Sequence, residues 1–176
     1  MAKTSNLREF QEAILQKLKE ATSQGAAEST SRLGVMVGEY RLLINLTAVT
    51  EVLPVPTLQS VPLTQPWFLG VANVRGNLYN ITDLLQFIGK PALPKTIHSR
   101  ILLLNSLNTT QTALVVTSLV GLRNIESMNV KQKADIERGL LDLLIKQVYE
   151  DENQQTWEEL NIEALVQHQD FIQPTI

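Results

Sequence analysis

Between residues 33 and 119, short apolar runs alternate with turn-forming residues, and this pattern limits the fold more than any other feature of the sequence. Two apolar runs flank Gly38 within residues 33–46, and two more flank Gly76 within residues 68–81. Short apolar runs joined by glycine-containing turns are typical of antiparallel hairpins. The pattern therefore predicts a mainly β fold rather than a parallel α/β sheet, in which strands would alternate with longer helical segments.

The second half of the chain continues the pattern. Apolar runs at 100–105 and 113–119, separated by the polar turn 108–111, predict two strands that begin a second sheet unit. Further strands are predicted at 141–149 and 157–160, and short helices at 83–88, 131–137 and 162–168. Many short strands with regular turn signals favour two small barrel-like units.

An amphipathic helix is predicted at residues 6–21, ahead of the β-rich part of the chain. Its apolar stripe consists of Leu7, Phe10, Ile14 and Leu18. Residues 22–30 are small and polar, as in a linker. We expect the helix and linker at 1–30 and one domain of two subdomains at 31–176. The stripe could either pack on that domain or mediate self-association.

The composition excludes several kinds of site and partner. With 15 Lys and Arg against 18 Asp and Glu, the net charge of -3 gives no general attraction to nucleic acid or to an anionic membrane. The absence of cysteine excludes disulfides, thiolate metal ligands and thiol nucleophiles. The sequence contains no apolar run of about 18 residues and no signal-peptide pattern, so we expect a cytoplasmic protein that is not inserted in a membrane.

No motif indicates an enzyme, a metal site or a cofactor site. His98 and His168 are far apart, and neither has a second ligand at a zinc-binding spacing. The sequence has no glycine-rich phosphate loop and no nucleophile elbow. The carboxylate pairs at 151–152 and 158–159 are interpreted as solvated residues of a turn and its flank. We therefore predict no catalytic residue, no cofactor and no metal.

The segment 68–89 carries the clearest candidate for a binding site. Arg75 follows an apolar strand and precedes a turn at Gly76, so the turn would hold its guanidinium at a strand end, free to contact a partner. An ordinary surface arginine at a turn would give the same pattern. Gly70 and Gly76 are positions where a positive φ or tight packing is expected.

Three further residues near this segment have both a structural and a functional interpretation. Glu51 follows Val49 in an apolar run, where it is either a partner contact or a charge that prevents pairing at a sheet edge. Trp67 is predicted in the core, with interface exposure as the alternative. Asp83 is predicted to cap the helix that follows it.

The sequence GVANVRG, followed by a short strand, TDL and a helix, resembles the hallmark of CheW-like domains. The resemblance extends backward through LGVMVGEYRLLINL, AVTEVLPVP and VPLTQPWFLG, and forward through TALVVTSLVGLR and WEELNIEALVQHQDFI. It covers about residues 33–172, and the AVTEVLPVP run and the Pro-Trp pair are most similar to the PilI branch of the family. Thr117 and Asn161 stand where the family often has Asp, and Asn80 where it often has Pro.

The resemblance implies two SH3-like five-stranded β-barrels with short helices, and an N-terminal helix outside the core motif. It implies binding to the regulatory domain of a CheA-type histidine kinase and to the cytoplasmic tip of a methyl-accepting chemoreceptor. By the family pattern, Val49 and Glu51 match its V-x-E positions, and the partner-binding residues are Val49, Glu51, Gly70, Arg75 and Gly76.

The function implied is that of a non-catalytic adaptor in a chemosensory pathway controlling type IV pili and twitching motility. Such a protein would be cytoplasmic and recruited to membrane receptor arrays, with no role in nucleic-acid binding. The alternative within the family is a general flagellar chemotaxis coupling protein. The alternative from another class is a small β-barrel ligand-binding module, which requires a pocket with convergent polar groups and shifted pKa values.

Overall fold

A computed structural model describes residues 9, 12–14, 16, 30–107, 111–134 and 138–176, and the secondary structure in these ranges is mainly β, as predicted. The strands are β1 (Ser31–Val37), β2 (Tyr40–Asn45), β3 (Val49–Pro54), β4 (Phe68–Val74), β5 (Asn77–Asp83), β6 (Arg100–Leu104), β7 (Thr112–Val116), β8 (Ser118–Asn124), β9 (Asn129–Lys131), β10 (Ile145–Glu150) and β11 (Thr156–Leu160). Short α-helices span Leu84–Phe87, Leu140–Leu144, Ile162–Gln167 and Gln169–Ile172, and 3-10 turns span Leu46–Ala48 and Ile125–Ser127.

The strands form two sheets. The first sheet has the order β8-β1-β2-β11-β10-β9, and the second has the order β3-β6-β7-β5-β4. The described strands therefore divide six and five, rather than five and five as the family resemblance implied. Neither strand order closes on itself by strand pairing among the described residues.

The predicted start of the second sheet unit at residue 100 is wrong. Strands β6 and β7 complete the sheet of β3, β4 and β5, because β7 runs parallel to β5 and β6 pairs with β3. The opening hairpin β1–β2 instead joins the later strands, through the parallel contact of β2 with β11 and the antiparallel contact of β1 with β8. The first sheet is thus discontinuous in sequence, with the second sheet inserted into it.

The apolar run 113–119 forms parts of two strands rather than one. Thr117 separates them: its backbone N–H donates to Met36 O at 2.8 Å, and its hydroxyl oxygen accepts from Gly38 N–H at 2.9 Å. Residues 141–149, predicted as a strand, begin as helix and become β10 only at Ile145. In the predicted helix 131–137, Lys131 ends β9 and residues 132–134 are not helical, while 135–137 lie outside the described residues.

Most of the core is a single apolar cluster to which both sheets contribute, including Leu33, Ile44, Ile81 and Leu114, each no more than 1% exposed. The described residues 9, 12–14 and 16 of the N-terminal segment are helical. Within them Ile14 is 2% exposed and belongs to the same cluster, which agrees with packing of the predicted helix on the domain. The other three residues of the predicted apolar stripe lie outside the described residues.

A smaller apolar cluster comes from the first sheet and its 3-10 turn, formed by Leu43, Met128, Tyr149 and Trp157, with Ile125 partly buried against it. The guanidinium carbon of Arg123 lies 4.9 Å from the centre of the Trp157 ring. A side chain at Gly34 would place its Cβ 3.1 Å from that ring, which is closer than side-chain carbons normally pack. Glycine therefore gives the indole its space between the strands.

The prediction that the carboxylates at 151, 158 and 159 are solvated is wrong, because these residues are 7%, 8% and 4% exposed. Glu159 accepts from Arg32 Nε at 2.6 Å and from the Tyr149 hydroxyl at 3.3 Å. Glu158 accepts from Arg138 Nη1 at 2.5 Å. Adjacent strand residues point to opposite faces of a sheet, so the Arg32–Glu159 and Arg138–Glu158 ion pairs lie on opposite faces of β11.

Candidate functional site

The turn between β4 and β5 is formed by Arg75 and Gly76, which have φ angles of 50° and 85°. A two-residue hairpin turn of type I′ requires a positive φ at both central positions, which glycine adopts readily and arginine rarely. The side chain of Asn73 supports the turn by accepting from the Gly76 N–H at 2.9 Å. The turn predicted at Gly76 is therefore confirmed, and it holds Arg75 at the strand end.

Arg75 forms a bidentate ion pair with Glu51. The Nη1 and Nη2 atoms lie 2.6 and 2.5 Å from the two carboxylate oxygens, with side-chain exposures of 70% for Arg75 and 12% for Glu51. We expected a guanidinium free for a partner, but the structure pairs it within the chain. Because the arginine is so exposed, the pair stabilises the fold by no more than about 1 kcal/mol, and its main effect is to orient both groups.

The ion pair joins opposite edges of the second sheet. Glu51 lies in β3 and Arg75 follows β4, and these strands end the order β3-β6-β7-β5-β4 at its two sides. The sheet must therefore curl enough for these two side chains to meet, although β3 and β4 do not pair, and this agrees with the barrel-like shape that the sequence predicted. We call the side where these two edges approach each other the seam.

Gly70 allows a second contact across the seam. The segment after β3 returns along β4, where Gln59 N–H donates to Val71 O at 2.8 Å and Val71 N–H donates to Gln59 O at 2.9 Å. Gly70 has a φ of 125°, and a Cβ there would lie 2.2 Å from Gln59 O. Glycine is thus required by this close approach. The buried position of Gly70 gives it a packing role rather than a surface for a partner.

Val49 and Glu51 do not share one face, although residues two apart in a regular strand would. The register of β3 against β6 shifts between them, and this β-bulge leaves Thr50 exposed. Val49 and Val52 are 3% and 8% exposed, so both belong to the core. The structure therefore brings Glu51, Arg75 and Gly76 together at the surface, while Val49 belongs to the core.

The predictions for Asp83 and Trp67 are confirmed. Asp83 is 1% exposed, and its carboxylate accepts from the N–H groups of Leu85 at 2.9 Å and Gln86 at 3.1 Å, as a helix cap does. It also accepts from Leu93 N–H at 2.8 Å, which fixes the connection after the helix. Trp67 is 8% exposed and its ring stacks on Phe171 at 6.0 Å between centroids.

Sequence reasoning missed the buried polar groups of the first sheet. The Trp157 indole N–H donates to Asp151 at 2.9 Å and lowers the pKa of that carboxyl, helped by the backbone N–H groups of Gln155 and Asn153. Burial raises the pKa of Tyr149. The backbone N–H of Arg138 lowers the pKa of Asp142. The burial of Tyr149 and Asp151 depends on how the strands pack, which local spacing does not show, whereas Arg138 and Asp142 are four positions apart and could have been paired from the sequence.

Two cavities among the described residues are separate from the groups with shifted pKa values. One cavity is lined by Gln65, Trp67, Gln169, Asp170, Gln173 and Thr175, and a second lies beside Glu159 and Asn161; neither includes Tyr149, Asp142 or Asp151. In the described ranges, no group of three or more His, Asp or Glu residues could hold a metal ion. No helix among the described residues is both long and apolar enough to cross a membrane.

Comparisons with known proteins agree with this architecture. The family model described as CheW-like domain matches residues 32–170. Protein PilI of Pseudomonas aeruginosa is 30% identical over 149 residues, which are 85% of this chain and 82% of that protein. The crystal structure of the scaffolding protein TtCheW from Thermoanaerobacter tengcongensis superposes with a TM-score of 0.65 and 16% identity, over 77% of this chain and 86% of that chain. The chain belongs to the CheW-like domain family.

Proposed function

We propose that this protein is a non-catalytic adaptor that couples a chemoreceptor to a CheA-type histidine kinase in a pathway controlling type IV pili and twitching motility. The observation that carries the proposal is the 30% identity to Protein PilI over 85% of this chain. The groups whose pKa values are shifted, Arg138, Asp142, Tyr149 and Asp151, line neither of the two cavities described above, which favours an adaptor over a ligand-binding module.

The partner surface for the kinase is proposed at the exposed end of the seam, formed by Glu51, Arg75, Gly76 and Leu78, which we call the Arg75 edge. The guanidinium is 70% exposed although Glu51 holds it in one orientation. Leu78 follows the same turn, pairs with Asn73 across the hairpin and is 54% exposed. A fixed arginine beside an exposed apolar side chain is a common centre of binding energy, because little conformational entropy is lost on contact.

The receptor tip is proposed to bind elsewhere, at the groove between the two sheets, so that both partners are held at once. An adaptor of this kind needs no chemistry of its own. It transmits a signal only if its contacts differ between the active and inactive arrangements of its partners. Uniform contacts would raise local concentration without switching the kinase.

The test is binding of wild-type protein and of Arg75→Ala to the kinase regulatory domain and to a receptor signalling fragment. We expect Arg75→Ala to weaken kinase binding about tenfold or more while circular dichroism stays unchanged. Arg41→Ala is the matched control, because Arg41 is a partly exposed arginine in β2 of the other sheet. Wild-type protein that binds neither partner would overturn the proposed function.

A second substitution separates the ion pair from the contact. Glu51→Ala removes the partner of Arg75 but leaves the cation exposed. If Arg75 itself contacts the kinase, Glu51→Ala should weaken binding less than Arg75→Ala, through lost orientation alone. Equal losses would show that the pair acts only by holding the seam together. Binding to a kinase of a flagellar pathway, and not to one of a pilus pathway, would favour the alternative coupling role.

A further inference from the structure

The last part of the described chain crosses from the first sheet to the second. After β11, Asn161 N–H donates to Leu144 O at 2.8 Å, which places the helix Ile162–Gln167 beside the helix Leu140–Leu144. Residues 168–176 then run to the β3–β4 loop, and we call them the strap. In the strap, Pro174 O accepts from Gln65 N–H at 2.7 Å, and Ile176 N–H donates to Leu63 O at 3.0 Å.

A side chain also anchors the strap before it reaches the loop. Phe171 is 8% exposed, and its ring stacks on Trp67 at 6.0 Å and meets Phe87 edge-on at 5.4 Å. Trp67 immediately precedes β4, and Phe87 ends the helix that follows β5. The aromatic contacts therefore fix the strap to the same edge of the second sheet on which the loop lies.

The loop at 55–67 needs such an anchor, because the structure forms neither helix nor named strand in it. Leu63 has a φ of 58° and a side chain that is 78% exposed, so it adopts a backbone conformation unfavourable for leucine without burying its side chain. Its carbonyl is one of the two loop groups bonded to the strap. Pairing with the strap thus offsets the strain at this position.

The same loop connects the two halves of the Arg75 edge. It begins after β3, which carries Glu51, and leads into β4, which ends at the Arg75 turn. Near its middle it is held on β4 by the paired Gln59 and Val71 and by its approach to Gly70, and at its end Trp67 O accepts from Asp83 N–H at 2.8 Å. A shift of the loop would therefore move one edge of the seam relative to the other.

We propose that the strap is a positioning element for the Arg75 edge: by pairing with residues 63–65, it keeps the loop on the second sheet and Glu51 against Arg75. The consequence for kinase binding rests on the proposed function, whereas the effect on the seam does not. The strap would also transmit movement of the first sheet to the partner surface on the second.

The experiment is amide hydrogen exchange on the full chain, on a variant lacking Pro174–Ile176, and on Ile176→Pro. Gln65 must lose protection in the deletion variant, because its acceptor is removed. The informative amides are Gln59 and Val71, which the strap does not touch. We expect their exchange to become about tenfold faster, as the loop leaves β4 more often. Thr175→Ala, which retains the backbone bonds of its neighbours, should leave all three amides unchanged.

Unchanged exchange at Gln59 and Val71, with faster exchange at Gln65, would overturn the proposal. The strap would then hold only the residues to which it is hydrogen-bonded. If the deletion variant does not fold, Ile176→Pro tests the same point by removing one N–H donor. Kinase binding should weaken by the same factor as the fraction of molecules in which the loop lies on β4 and Glu51 contacts Arg75. Complete loss of protection at Gln59 and Val71 with unchanged binding would overturn the link to the partner surface, while failure of the wild type to bind would count only against the proposed function.

Discussion

Replacing Gly70 with alanine should destabilise the protein far more than the same change at Gly76. At Gly70 the new Cβ would lie 2.2 Å from Gln59 O, so Gln59 must move and its two bonds to Val71 are lost or weakened. Two backbone hydrogen bonds contribute about 1–3 kcal/mol together, and the φ of 125° adds about 1–3 kcal/mol of strain. The expected loss in the free energy of unfolding is about 2–6 kcal/mol.

Gly76 is the matched control, because it also has a positive φ, of 85°, but a Cβ there would meet nothing within 4 Å. Gly76→Ala should cost only the backbone strain, about 1–2 kcal/mol. The entropy that alanine removes from the unfolded chain is the same in both variants and cancels in the comparison.

Urea unfolding followed by circular dichroism measures both variants, with equal m values required for the comparison. Destabilisation that agrees within about 0.5 kcal/mol between the two variants would refute the reasoning, because the approach of Gln59 would then have no energetic effect. A Gly70→Ala variant that fails to fold, beside a folded Gly76→Ala, would agree with it.

Three further variants test the buried polar groups by urea unfolding. Glu159→Gln should cost about 3 kcal/mol, because it leaves the buried Arg32 without its carboxylate; a cost below about 1 kcal/mol would contradict this. Asp83→Ala should cost about 2–4 kcal/mol through its three lost acceptor contacts, and a loss no larger than that of an exposed cap would contradict the role of Leu93. Hydrogen bonds lower the folded-state pKa of Asp151, so its contribution is full above the ordinary carboxyl pKa of about 3.9 and is lost as the pH falls through the folded value. Below about pH 5 the urea midpoint of wild type should therefore fall more steeply than that of Asp151→Asn, and parallel curves would contradict this.

Local features of the sequence predicted local structure well. The turn at Gly76, the cap at Asp83 and the buried position of Trp67 each depend on neighbours within a few residues, and all three are confirmed. The family resemblance additionally pointed to Glu51 and Arg75, which the structure joins in one ion pair. Nothing in residue periodicity could have shown that pair, since the two residues lie at opposite ends of a strand order.

The failures concern contacts between distant parts of the chain. Periodicity indicates that a strand exists but not which strand lies beside it, so β6 and β7 were assigned to a new sheet instead of to the sheet of β3, β4 and β5. The bulge at Thr50 could not be seen in the sequence either, because it depends on the pairing of β3 with β6. Glu159 appeared solvated because its partner, Arg32, is 127 positions away.

The insertion of one sheet into the other has a consequence for synthesis of the protein. The strands of the second sheet lie between residues 49 and 116, and all of them leave the ribosome before β8 begins at residue 118. The opening hairpin must wait longer, because its neighbour β11 is not complete until residue 160. During translation the later-starting sheet can therefore fold first, while the apolar face of the hairpin is still exposed and open to chaperones.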